Sequence, residues 1–293
     1  MQKKIPEFLI EKLAKQYGSD ETSDIIEAFS SDICTTLRVN TLKTNTDNVK
    51  ESLSRYLIKY NDTLYNEMAI VLEPNQEEKI KELDIYKNGE IYMQSVSSML
   101  PPIVLEPKTK ENILDMCAAP GGKTTEIAML SNNEAFITAC EKNFIRAERL
   151  KYNIEKQGAK GIYVMTKDAR ELDEFLSFDK ILLDAPCSGS GTLHKENKIF
   201  NEQLIDKSIN IQTTLLKKAL KLLKPGGELV YSTCSILKDE NENIIKNVLN
   251  KNIELVPIDI EAPKLEVSLD GTICIKPTQI YEGFFIAKIR KND

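Results

Sequence analysis

The chain has 293 residues, a formal net charge of −6 and 29% charged residues, enough length for two modest domains or one large one of ordinary globular composition. No apolar run approaches the ~20 residues that a membrane helix needs, and the charged start MQKKIPEF is no secretion signal, so a cytoplasmic protein with no membrane partner is expected. The acidic balance excludes attraction to nucleic acid by overall charge: residues 1–91 hold 12 Lys+Arg against 17 Asp+Glu and the remainder 27 against 28, so RNA or DNA would have to meet a local basic patch.

Along the chain, PEFLIEKLAKQYG and SDETSDIIEAFS read as two short helices. TTLRVNTLKT follows as a strand carrying Arg38 and Lys43, and TDNVKESLSRYL as a capped helix. These predict a small α+β module over residues 1–91, closed by the Gly89 turn. From about residue 112 strands and helices alternate. NILDMC, AFITACE, IYVMTKD, KILLDA and PGGELVYSTCS read as buried strands. KTTEIAML, NFIRAERLKYNIEKQG, NEQLIDKSINIQTTLLKKALKLLK and DENENIIKNVLN read as the helices between and after them, and GFFIAKIRK as a last edge strand. Continuous apolar strands separated by helices indicate an α/β domain over 92–293 with a mostly parallel sheet covered on both faces. Such sheets bind ligands at the carboxyl ends of their strands.

Six cysteines (34, 117, 140, 187, 234 and 274) never form a C-x-x-C pair, and His194 is the single histidine. Neither a zinc site nor a disulfide framework is expected, and no metal. Individual thiols thus become candidates for chemistry, with burial as the default for each.

LDMCAAPGGKTTEI has the strand, small-residue loop and helix of a ligand cradle, because small residues let backbone approach a ligand and the helix start offers free N–H groups. A P-loop would need glycine where Cys117 stands, and a G-x-G-x-x-G fingerprint is absent. Three acids follow in order at strand ends: Asp115, Glu141 and Asp168. Each alone would simply end a strand in water. Together they suit an adenosine-containing cofactor without a triphosphate, with Glu141 accepting from two ribose hydroxyls and Asp168 from an adenine amino group. S-adenosylmethionine fits that description.

DMCAAPGGKT, DAPCSGSG and YSTCS together, supported by LRVNTLK, YMQSVSSMLPP and EGFFIAKI, strongly resemble the Nol/Nop/Sun (Fmu) family of S-adenosylmethionine-dependent RNA cytosine-5 methyltransferases. The resemblance implies a Rossmann-type methyltransferase domain preceded by a small RNA-binding module of RNA-recognition-motif type. It implies that Cys117, Ala118, Ala119, Pro120, Gly121, Gly122 and Lys123 wrap the methionine end of the cofactor. It puts Glu141 at the ribose, Asp168 at the adenine side and Asp184 between cofactor and base. It also makes Cys234 the nucleophile and Cys187 the residue that assists product release. Glu141 and Glu282 stand where the family commonly has Asp, and Lys276 stands where Arg is frequent.

Carbon 5 of cytosine is too weak a nucleophile to take a methyl group unaided; a thiolate adding to carbon 6 activates it. Charge then develops at ring nitrogen 3, where Asp184 is the expected partner, protonated if burial dominates and ionised if Lys123 sits close. Lys123 would hold Asp184 or the cytosine carbonyl. The base must be unpaired or flipped. Arg38, Lys43 and Arg146, with Lys3, Lys4 and Lys195, are candidate phosphate contacts, and His194 a surface histidine. A monomer acting on transfer or ribosomal RNA is expected. The rivals are a nucleotide triphosphatase, a non-catalytic RNA-binding factor on the same fold, and a DNA cytosine methyltransferase.

Overall fold

The computed structural model describes residues 5–62, 66–193 and 200–292. The expectations for Lys3, Lys4, His194 and Lys195 lie outside the described residues.

Four strands form the first sheet: β1 (Cys34–Val39), β2 (Tyr60–Asp62), β3 (Ala69–Pro74) and β4 (Ile91–Met93), all antiparallel in the order β2-β3-β1-β4. Leu37, Val39, Ile70, Leu72 and Ile91 pack on Val49 and Leu53 of the helix Thr46–Arg55. Asn45 caps that helix, accepting from the Asn48 N–H at 2.9 Å, which satisfies one of its free first-turn donors. The expected boundary at residue 91 falls on β4, whose pairing with β1 carries the module to Met93.

The first two helices, Glu7–Tyr17 and Ser19–Ser30, pack away from this sheet. Their apolar faces, through Leu9, Leu13, Ile25 and Phe29, join the core formed by Leu183, Leu216, Ile236 and Phe285 of the second domain.

The second sheet has nine strands: β5 (Asn112–Asp115), β6 (Phe136–Cys140), β7 (Ile162–Met165), β8 (Phe178–Asp184), β9 (Leu223–Thr233), β10 (Ile253–Val256), β11 (Lys264–Leu265), β12 (Ile273–Ile275) and β13 (Phe284–Lys291). β7-β6-β5-β8-β9 run parallel, and β13 is antiparallel to β9. The chain order reverses on either side of β5, opening a crevice at its carboxyl end. β13 is an inner strand rather than the expected edge. Its far side pairs with both β10 and β12, so Phe285, Ile286, Ala287 and Ile289 are fully buried. β11 and β12 are two and three residues long, too short for a periodic signal in the sequence.

Candidate active site

β5 delivers Asp115 to the crevice, and the loop from Cys117 leads into the helix Gly122–Leu130. Gly121 has φ +110°, where a side chain is strained, and a Cβ there would lie 2.9 Å from Leu150. Asp115 accepts from the Thr124 hydroxyl at 2.7 Å through one oxygen; its other oxygen is buried without a partner. Burial pushes this carboxyl up to about 6. The loop walls a cavity of about 480 Å³, lined on its other sides by Glu141, Asp168, Pro186 and Leu215.

Glu141 is almost fully buried there, its carboxylate accepting from the Asn143 N–H at 2.8 Å. Asp168 accepts from the N–H, Nε and Nη2 of Arg170; those hydrogen bonds hold its carboxyl at about 2. A carboxylate offers about four lone-pair sites, so both acids retain acceptor capacity toward the cavity. The acceptor set suits S-adenosylmethionine: Glu141 for the ribose hydroxyl pair and Asp168 for the adenine amino group.

A second cavity of about 330 Å³ adjoins the first, and Cys117, Ala119, Asp184, Thr192 and Cys234 line both. At this junction the Cys187 and Cys234 sulfurs lie 3.2 Å apart. The hydrogen bond with Cys234, reinforced by burial and the Glu240 charge, pushes the Cys187 thiol well above its ordinary pKa. The two sulfurs are within hydrogen-bonding reach, and either can be the donor. Cys117, Cys140 and Cys274 are pushed up by burial and are poor nucleophiles.

Asp184, at the end of β8, accepts from Lys123 Nζ at 2.8 Å on one oxygen and from the Ser232 hydroxyl at 2.7 Å on the other. Lys123 also donates to Ser98 Oγ at 2.7 Å and sits 5.3 Å from the Phe284 ring centroid. Burial opposes its charge, but Asp184 outweighs burial and holds the ammonium above its ordinary pKa. Lys123 thus binds Asp184, and both carboxylate oxygens act as acceptors.

Sequence reasoning missed much of the second cavity: Tyr92 and Gln94 from the first module, Ser98, Thr192 and Phe284. YMQSVSSMLPP and EGFFIAKI were legible only as family matches, because no spacing rule says which of their side chains face a ligand. It also missed Glu240, which is fully buried beside both cysteine loops, because DENENIIKNVLN reads only as a helix. Gly191 and Gly283 cross in contact: the Gly191 N–H donates to Cys234 O and the Gly283 N–H to Gly191 O, each at 2.9 Å.

Of the three cations expected at RNA, Arg38 is withdrawn from the surface, whereas Lys43 and Arg146 stay exposed. Arg38 is fully buried, donating to Gln94 Oε1 at 2.8 Å, Thr125 Oγ1 at 2.9 Å, the Gly122 carbonyl and Glu126. It joins the first module to the glycine loop and cannot meet solvent. Lys43 lies in the turn after β1, its ammonium donating to the carbonyls of Asn88 and Lys156 at 2.7 Å each. Arg146 donates to Ala119 O at 2.7 Å and pairs with Glu141 at 3.3 Å, on the wall of the first cavity.

A Rossmann-type sheet, a glycine loop followed by strand-end acids, and paired thiols beside a Lys–Asp couple define a methyltransferase class. Residues 102–290 match the family described as 16S rRNA methyltransferase RsmB/F, and residues 5–77 match its ferredoxin-like domain, so the chain belongs to the RsmB/F (Nol/Nop/Sun) family. It is 34% identical to ribosomal RNA small subunit methyltransferase F of Shewanella piezotolerans over 92% of its own length, and spans 60% of that relative. It is 35% identical to the tRNA (cytosine(49)-C(5))-methyltransferase of Pyrococcus abyssi, covering 99% of this chain and 97% of that one. Its fold matches NSun6 from Pyrococcus horikoshii with SFG, an S-adenosylmethionine analogue, at TM-score 0.88 and 26% identity over 98% of both chains.

Proposed function

We propose that the protein is an S-adenosylmethionine-dependent RNA cytosine-5 methyltransferase that forms 5-methylcytosine in transfer or ribosomal RNA. The observation that carries this reading is the convergence of Cys234, Cys187 and the Lys123–Asp184 couple where two cavities meet. One cavity carries acceptors suited to the cofactor. The other suits a flipped base, with Tyr92 and Phe284 on its wall. Kinship with methyltransferases named for both RNA classes supports the substrate class.

Glu141, Asp168 and the loop Cys117–Lys123 would hold the cofactor, which when bound supplies an electrophilic methyl group. The protein's own residues do the rest. The Cys234 thiolate adds to carbon 6 of cytosine, and the developing charge at nitrogen 3 is met by the Asp184–Lys123 couple, whose ammonium supplies the proton through the carboxylate. The addition makes carbon 5 nucleophilic. After methylation, a water held at Cys187 takes the carbon 5 proton to solvent, and the nitrogen 3 proton returns through Asp184 to Lys123. The Cys234–carbon 6 bond then breaks, regenerating the thiolate.

We place this activity in the cytoplasm, carried by a monomer; among the described residues no helix is long and apolar enough to cross a membrane. The module at residues 1–91, extended to Met93 by its fourth strand, is read as the part that positions RNA. The triphosphatase reading lacks its first P-loop glycine, which is Cys117 here. The test is purified protein incubated with methyl-labelled S-adenosylmethionine and bulk RNA, followed by nucleoside analysis. Label in 5-methylcytosine is expected. No transfer to any RNA would favour a binding factor, and binding of ATP in place of the cofactor would favour the triphosphatase.

A further inference from the structure

The Glu240 carboxylate is fully buried beside the two cysteine loops, and three of its four contacts come from them, the fourth from Gln212 on the helix Glu202–Leu222. One oxygen accepts from the Ser188 backbone N–H at 2.8 Å and from Gln212 Nε2 at 3.3 Å. The other accepts from the hydroxyls of Ser188 at 2.6 Å and Ser235 at 2.5 Å. Ser188 follows Cys187 directly, and Ser235 follows Cys234. Ser190 and Ser235 add a second tie at 2.8 Å between the loops. Tyr231 donates to the Glu240 carbonyl at 2.7 Å, fixing the short turn that carries the acid.

A buried carboxylate is costly unless its acceptor sites are filled, so donors that satisfy it are held firmly in place. Here three of the four donor groups belong to Ser188 and Ser235, the chain neighbours of the two reactive sulfurs. We propose that Glu240 is a positioning residue that ties the loop of Cys187 to the loop of Cys234, and that this tie brings the two thiols within reach so that the RNA adduct can be resolved. The claim rests on the methyltransferase reading above for its second half, while its first half concerns only the placement of the sulfurs.

Glu240→Gln is the informative variant. It keeps the volume but replaces one acceptor oxygen with an amide NH₂, which must face the hydroxyls or the N–H that the carboxylate held. Single-turnover methyl transfer should fall by no more than about threefold, since Cys234 and the Lys123–Asp184 couple remain. Steady-state turnover should fall tenfold or more, with protein–RNA adduct accumulating on a denaturing gel, and KM for RNA should stay within about twofold. In a Cys187→Ala background, Glu240→Gln should add nothing to adduct accumulation. Wild-type turnover in Glu240→Gln, or equal losses in single and multiple turnover without adduct, would overturn the proposal.

Placement of the sulfurs is read without RNA or cofactor. Diamide oxidises two neighbouring thiols to a disulfide, the thiols losing two protons and two electrons while the diazene becomes the hydrazine. Peptide mass spectrometry should find Cys187–Cys234 crosslinked in the wild type and at least fivefold more slowly in Glu240→Gln. Equal rates refute the tie whether or not the protein methylates RNA. A wild type that crosslinks but transfers no methyl group refutes the methyltransferase reading alone.

Discussion

Lys123 and Asp184 form the charged couple of the site, Nζ to carboxylate oxygen at 2.8 Å, although they stand on different elements and 61 positions apart. Each lies at an element's end facing the crevice: Lys123 in the first turn of the helix Gly122–Leu130, Asp184 at the end of β8. Ser98 accepts from Lys123, and Ser232 donates to Asp184.

Removing that ammonium should therefore act on chemistry. Lys123→Ala is expected to lower single-turnover methyl transfer at saturating RNA and cofactor by roughly 10²–10⁴-fold, the usual range for a positioned proton donor or acceptor. A loss under threefold would show that the couple is not needed at nitrogen 3.

Arg38 makes a stability prediction. Its guanidinium and the Glu126 carboxylate are both buried, and burial pushes the Glu126 carboxyl up to about 7 even with Arg38 beside it. Arg38→Met strands that acid and should cost about 3–5 kcal/mol, whereas Arg38→Met with Glu126→Leu should recover most of it. Urea unfolding of the three proteins measures this; a double variant as weak as the single would mean that the other hydrogen bonds of Arg38 dominate.

Asp115 sets a pH dependence. Its folded pKa, about 6, exceeds the ordinary 3.8. The stability tied to its protonated form is therefore complete below about pH 4 and is lost as pH rises to about 6, amounting to roughly 2–3 kcal/mol at most. Asp115→Asn, which can still accept from Thr124, should gain on the wild type across that window. Parallel stability curves for the two proteins from pH 4 to 6.5 would argue against a buried, proton-holding Asp115.

The glycine crossing is equally exposed to test. A Cβ at Gly191 would lie 2.1 Å from the Gly283 carbonyl oxygen, which is backbone and cannot turn aside. Gly191→Ala should destabilise by about 1–3 kcal/mol, as forced overpacking does. It should also cut methyl transfer more than tenfold, because the Gly191 N–H holds Cys234 O. Melting temperature and activity near wild type would show that the crossing yields without disturbing the thiol.

Much of the site was legible because its parts are local. The loop Cys117–Lys123, Asp184 with Cys187, and Cys234 each sit where a strand ends, and strand ends can be read from apolar runs. What failed was the destiny of charge. Arg38 was expected at a phosphate, yet it is fully buried with partners as far as the Gly122 carbonyl 84 positions away, whereas Lys43 and Arg146 stay exposed while also donating to the carbonyls of Lys156 and Ala119. Glu240 was missed as well. The placement of β13 inside the sheet depends on β10 and β12, whose pairing is set by tertiary contact rather than by pattern.

The central claim is that Cys234, and not its neighbour at 3.2 Å, attacks the base. The direct measurement is protease digestion of the adduct trapped by Cys187→Ala with RNA and S-adenosylmethionine, followed by mass spectrometry of the nucleotide-bearing peptide. The account predicts cytosine on Cys234, and no adduct from Cys234→Ala. An adduct formed by Cys234→Ala through Cys187, and absent from Cys187→Ala, would contradict it.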